Sequence, residues 1–154
     1  MRCAIGADDA GPLTDALLAE LDRRGVAAER FGSLRAGGNG DEPLDDGEWA
    51  SIGRAVGEAV ASGRADVGVV CCYTGTGISI AANKVSGVRA ALCTDAETAR
   101  GARRWNDANV LALSLRSTST TVGLEILAAF LATPSSDEPD DRSSIESLEE
   151  LNPR

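Results

Sequence analysis

Apolar positions along this chain change period repeatedly, from short continuous runs to helical spacing and back. Residues 2–6 (RCAIG) form an apolar run stopped by Gly and Asp, which predicts a first strand. From Gly11 to Arg24, Leu13, Ala16, Leu17 and Leu21 recur on one face with a helical period. Residues 27–32 predict a second strand, and the Gly- and acid-rich stretch 33–48 (SLRAGGNGDEPLDDGE) predicts a loop. A helix follows from Trp49 to about Ser62, then ADVGVVCC (65–72) as a buried strand. The turn TGTG (74–77) opens into a short Ala-rich helix, SIAANK. VRAALC (88–93) predicts another strand, with a helix from about Ala96 to Arg104 behind it. NVLALS (109–114) is the last strand and 117–131 the last helix of the body.

Strands alternating with helices across short loops predict an α/β protein, a parallel sheet covered on both faces. The 154 residues fit one domain over 1–133 and an acidic tail over 134–154, either disordered or a short helix. In the helical alternative, Ser143 and Glu146 have the spacing of a capping box.

Charge narrows the function. The chain carries −9 without a single histidine; the tail holds seven acids against two arginines, −5, which leaves −4 for the body. That balance argues against a sequence-independent nucleic-acid binder. No apolar run reaches the roughly 20 residues of a membrane span. The N-terminus lacks a signal peptide's profile, and the cytoplasm is the expected compartment. Cys3, Cys71, Cys72 and Cys93 lie on or beside predicted strands without CxxC spacing. Free thiols and no metal site are therefore expected.

Ligands of open parallel sheets bind at the carboxyl ends of the strands. Three segments are candidates for one pocket there: Asp8-Asp9, the Cys72–Gly77 turn, and Trp105-Asn106 at a helix end. Cys72 ends a buried strand just before Tyr73, Thr74, Gly75, Thr76 and Gly77. Backbone N–H groups of such a turn hold an oxyanion, and the helix terminus behind it favours thiolate. Together these suit removal of a proton beside a carbonyl and stabilisation of the resulting enediolate. Cys71 and Cys72, consecutive on a strand, point to opposite faces, so one of them reaches the pocket. The alternative reading of Cys72 is a buried small hydrophobe.

The segment VVCCYTGTGISIAANKVSGVRAALC resembles the CGTGxGxSIAANK…GIRAAL region of type B ribose-5-phosphate isomerases and galactose-6-phosphate isomerase subunits. IGADDAG is similar to their IG-x-DHAG, and RRWNDANVLALS to R-x-HNDANVL, in the same order from about residue 2 to 133. The resemblance implies a Rossmann-like three-layer domain with a five-stranded parallel sheet. It also implies a homodimer or tetramer with pockets between subunits, a sugar or sugar-phosphate substrate, and no metal or organic cofactor. It places Cys72 on the proton-abstracting base, and Thr74, Gly75 and Gly77 in the enediolate-stabilising loop. Ser79 and Asn83 fall in the helix behind that loop, Asp8 on an aspartate contacting sugar hydroxyls, and Asn106 on a substrate-touching asparagine. Structural alternatives stand beside these roles: Asp8 as a turn cap, Asn106 as a turn residue, Ser79 and Asn83 as helix positions.

The pattern also breaks. Asp9 and Trp105 stand where the family has histidines, near the phosphate and at the ring-opening step. Tyr73 replaces the glycine after the cysteine, and the arginine-bearing C-terminal segment GGRH-x-x-R is replaced by TPSSDEPDD. A carboxylate at Asp9 repels phosphate, and an indole cannot shuttle a proton. Three readings follow: an isomerase for an altered substrate, a cysteine-bearing subunit paired with a paralogue, or a ligand-binding pseudoenzyme. In the first, Asp9 meets hydroxyls or an amine, Tyr73 flanks the pocket mouth and Trp105 stacks on a sugar face.

Overall fold

The computed structural model describes residues 1–35 and 47–151, so most of the predicted 33–48 loop lies outside the described residues. Five strands alternate with helices: β1 (Arg2–Ala7), α1 (Pro12–Arg23), β2 (Ala27–Gly32), α2 (Trp49–Ala61), β3 (Val67–Cys72), α3 (Thr76–Asn83), β4 (Ala90–Leu92), α4 (Ala96–Asn106), β5 (Val110–Ser114) and α5 (Thr120–Ala132). A last helix, α6 (Pro139–Leu151), follows. All strand pairs are parallel, in the order β2-β1-β3-β5-β4. This is the three-layer, Rossmann-like α/β architecture.

Alternation of side chains across the central strands builds two cores. Ile5, Ala7, Val69, Cys71, Leu111 and Leu113 face α1, α4 and α5, where Leu17, Leu21, Ile126 and Phe130 meet them. Ala4, Val70, Cys72, Val110 and Ala112 face α2 and α3, against Ile52, Val56, Ile78 and Ala82. Strands buried on both sides read as continuous apolar runs rather than alternating ones, as 67–72 does. α2 and α3 approach closely at Gly53, where an added Cβ would lie 2.8 Å from the Ile78 carbonyl oxygen. That contact helps to fix α3 and the turn in front of it.

The chain runs from β1 outward to β2, then returns across β1 to β3, which lies on the other side. The switch point of the sheet therefore falls between β1 and β3, at their carboxyl ends. Among the described residues, no helix is long and apolar enough to cross a membrane.

Two expectations at helix ends are corrected. α3 begins at Thr76, not at Ser79, because Gly75 takes a left-handed conformation (φ 76°) that lets the helix start directly after the turn. α6 begins at Pro139, so Ser143 lies inside the helix, where its carbonyl accepts a hydrogen bond from Ser147 Oγ. The Ser143–Glu146 capping box is not formed; Pro at a helix's first position starts it earlier.

Candidate active site

The carboxyl ends of β1 and β3 carry the first two predicted segments. In the parallel register Ala7 stands beside Cys71, and Cys72 beside Ser114. Asp8, one residue beyond Ala7, therefore borders the same crevice as Cys72. Cys72 is 5% exposed and belongs to the α2–α3 face, whereas Cys71 is fully buried on the other face. Burial, with Cys72 and Asp8 adding repulsion, pushes the Cys71 thiol up to about 12. Of the two adjacent cysteines, only Cys72 lies on the crevice side.

The turn after Cys72 is bolted to the end of β5. The Cys72 carbonyl accepts from the N–H groups of Gly75 (3.1 Å) and Leu115 (3.0 Å). The Tyr73 carbonyl accepts from the Arg116 N–H and from Ser114 Oγ, both at 3.0 Å. Gly75 is required: besides its positive φ, an added Cβ would meet Leu92 Cδ1 at 2.6 Å and the Leu113 backbone at 2.9 Å. The Ser79 N–H closes the first helical bond onto the Gly75 carbonyl at 3.2 Å. The N–H groups of Thr76, Gly77 and Ile78 precede that bond and have no acceptor among the described residues, as expected of a helix start. Thr74 and Thr76 join hydroxyls at 2.7 Å beside them. A thiol thus stands at the edge of a small field of free donors.

Asp8 is held by its backbone, its carbonyl accepting from Ser33 Oγ at 2.7 Å. It does not cap α1; Gly11 does, exchanging bonds with Thr14 at 2.9 Å. The Asp8 Oδ1 is buried and has no hydrogen-bond partner among the described residues. Burial first, then repulsion from Asp9 and Glu48, raises the Asp8 carboxyl above its ordinary value, against the lowering effect of nearby backbone N–H groups. Asp9 and Tyr73 are exposed at the rim, and Ser79 is buried behind the turn.

Sequence reading missed Trp49. Its ring lies over Gly77, 3.0 Å from where a Cβ would stand, and it is 43% exposed. A tryptophan heading an amphipathic helix gives no sequence signal for this contact, which depends on the α2–α3 approach.

The third segment is elsewhere. Trp105 and Asn106 close α4 and precede β5, so they lie at the amino edge of the sheet, at the opposite end from Cys72. The length of β5, about 13 Å at the usual strand rise, separates the two poles. The expectation that one chain gathers all three segments at the carboxyl ends is therefore corrected: residues entering a parallel strand are placed at its start. Both side chains are exposed, Trp105 leaning on Gly101. The corner is set by Asp107, left-handed at φ 44°, whose carboxylate takes Arg89 Nη2 at 2.8 Å and Arg103 Nη1 at 3.3 Å. Asn83, expected beside the turn, instead pairs its amide with the Ala90 N–H and carbonyl, both at 2.8 Å, and blunts the edge of β4.

A doubly wound sheet with a thiol, a carboxyl and free N–H groups at its switch point defines an α/β protein built to hold a small polar molecule. The family model described as Ribose/Galactose Isomerase matches residues 3–148, and the chain belongs to that family. It is 38% identical over 133 residues to ribose-5-phosphate isomerase B of Escherichia coli, covering 81% of this chain and 76% of the relative. It is 43% identical over 100 residues to galactose-6-phosphate isomerase subunit LacB of Clostridium acetobutylicum, covering 65% of this chain and 58% of that relative. The solved ribose-5-phosphate isomerase B of Clostridium thermocellum superposes with a TM-score of 0.84 at 37% identity, covering 98% and 97% of the two chains.

Proposed function

We propose that this chain is an aldose–ketose isomerase for a sugar or sugar phosphate, with Cys72 as the proton-abstracting base. The observation that carries the reading is the place of Cys72 at the carboxyl end of β3, on the face of α2 and α3, four to six residues before N–H groups of Thr76, Gly77 and Ile78 that have no acceptor among the described residues. The Cys72 thiolate takes the proton from the carbon next to the carbonyl, and the electron pair moves onto the carbonyl oxygen as an enediolate. The N–H groups and the Thr74 and Thr76 hydroxyls stabilise that oxygen. Return of the proton to the neighbouring carbon completes the exchange, with no external oxidant or reductant. The free Oδ1 of Asp8 accepts from a sugar hydroxyl, and its raised pKa suits moving a proton between the two oxygens.

Trp105 and Asn106 join this site only from a second copy of the chain. Their exposure at the opposite pole supports that assignment, and so does the sharing of pockets between subunits that the family resemblance implies. The relatives are named for ribose 5-phosphate and galactose 6-phosphate, which supports a short phosphorylated or phosphate-like sugar. Asp9 at the rim disfavours phosphate at that point and shifts preference toward hydroxyls there. The relative named as a subunit supports a second reading, in which an unlike paralogue completes the pocket.

The test is deuterium incorporation, followed by NMR, for the purified chain in D₂O with phosphorylated and unphosphorylated aldoses and ketoses. Exchange next to the carbonyl, lost in Cys72→Ala, is expected. A folded protein that exchanges no member of the panel overturns the enzyme reading for this chain alone.

A further inference from the structure

Polar side chains are scarce inside this molecule: among the described residues, the buried ones are those of Thr14, Ser79 and Ser114. Thr14 exchanges bonds with Gly11 at the start of α1. Ser114 differs in place and in partners. It ends β5, whose other residues are apolar and fully buried, and it is itself 7% exposed. Val110 and Ala112 face α2 and α3, so strand alternation turns Ser114 to that same face. The parallel register sets it beside Cys72, which lies on the neighbouring strand and on the same face. Its hydroxyl oxygen accepts from the Ser117 N–H at 3.2 Å, and its one hydrogen is donated to the Tyr73 carbonyl at 3.0 Å. Three of the four bonds that hold the Cys72 and Tyr73 carbonyls come from backbone N–H groups, which almost any residue supplies. The fourth depends on the Ser114 side chain.

We propose that Ser114 is a positioning residue, whose hydroxyl fixes the peptide between the Cys72 thiol and the N–H groups at the start of α3. This role rests on the reading of Cys72 as the base. The Tyr73 carbonyl belongs to the peptide joining Tyr73 to Thr74, with the thiol on one side of it in the chain and the donors on the other. Rotation of that peptide moves the thiol relative to the donors. A helix start favours a thiolate only within its first turn, and an enediolate is held only by donors already in place. A misplacement of about 1 Å costs up to roughly a hundredfold in rate. Without the hydroxyl, the Tyr73 carbonyl keeps the Arg116 N–H, so the turn loosens while the fold remains.

Ser114→Ala and Ser114→Thr are compared with the parent in the full chain by three measurements. These are deuterium exchange of the sugar panel, urea unfolding, and the rate at which iodoacetamide alkylates Cys72 at neutral pH without substrate, read by mass spectrometry. Ser114→Ala is expected to lower kcat about tenfold with KM held within about twofold. Its Cys72 is expected to alkylate about threefold more slowly, because fewer thiols ionise once the donors are displaced. Ser114→Thr, which keeps the hydroxyl, is expected to restore both rates. A merely structural serine would do the reverse to the thiol, since a loosened turn exposes Cys72 and speeds its alkylation. Alkylation of Ser114→Ala as fast as the parent's or faster, an unchanged kcat, a folded Ser114→Thr without rescue, or loss of the fold in Ser114→Ala each overturns the positioning role. Absence of exchange by the parent strikes the isomerase reading instead, and the alkylation rates, which need no turnover, still decide whether Ser114 sets the thiol.

Discussion

The two poles of the sheet are built by different means. At the carboxyl pole the backbone does the positioning: four hydrogen bonds tie the carbonyls of Cys72 and Tyr73 to the 73–75 turn and the end of β5. At the amino pole, side chains dominate, with Arg89 and Arg103 converging on Asp107 and Glu149 reaching in from α6. Backbone-fixed donors suit the transition state of a proton transfer, because they need not reorganise as charge develops. The contrast is between a pole held mainly by backbone bonds and a pole held by ion pairs.

The largest effect expected is that of Cys72→Ala, about a hundredfold or more in kcat, measured as isomerisation or deuterium exchange. Asn106→Ala is expected to abolish measurable turnover as well, because the proposed site takes that amide from a second copy. Next comes Gly75→Ala, which meets both a forbidden φ and the Leu113 backbone. About 2–3 kcal/mol of destabilisation is expected in urea unfolding. Iodoacetamide is expected to label Cys72 first, with Cys71 protected because its thiol is pushed up to about 12; mass spectrometry of the modified peptides reads the order. The smallest effect is at Asp8. A carboxyl whose folded pKa is raised binds its proton more readily in the folded state, so stability falls as pH rises through the window above its ordinary value of 3.8. Asp8→Asn is accordingly expected to raise Tm near neutral pH, with the gain disappearing below about pH 3.8.

Much of the carboxyl pole was legible in the sequence. A strand ending in Cys72, a turn containing Gly75 and a helix behind it are consecutive, so local pattern places them together. The opposite faces of Cys71 and Cys72 follow from strand periodicity, and the structure agrees. The error at Trp105 and Asn106 came from grouping residues by chemistry before applying strand polarity: a segment that enters β5 belongs at its beginning. Trp49 over Gly77 and Glu149 on Arg89 were invisible for another reason. Each is a contact between elements distant in sequence, decided by how helices pack rather than by what any one segment prefers. The resemblance supplied the family, and the structure shows which of its residues a single chain can bring together.

The central claim is that one active site needs Cys72 of one copy and Asn106 of another. Mixing two inactive variants tests it most directly: Cys72→Ala and Asn106→Ala are unfolded together, refolded together and assayed for deuterium exchange. Random pairing into symmetric dimers makes half of them hybrids, each with one intact site, so recovery to about a quarter of the parent's activity is expected. A mixture no more active than the sum of its two components, with hybrids verified by mass spectrometry, would contradict the account.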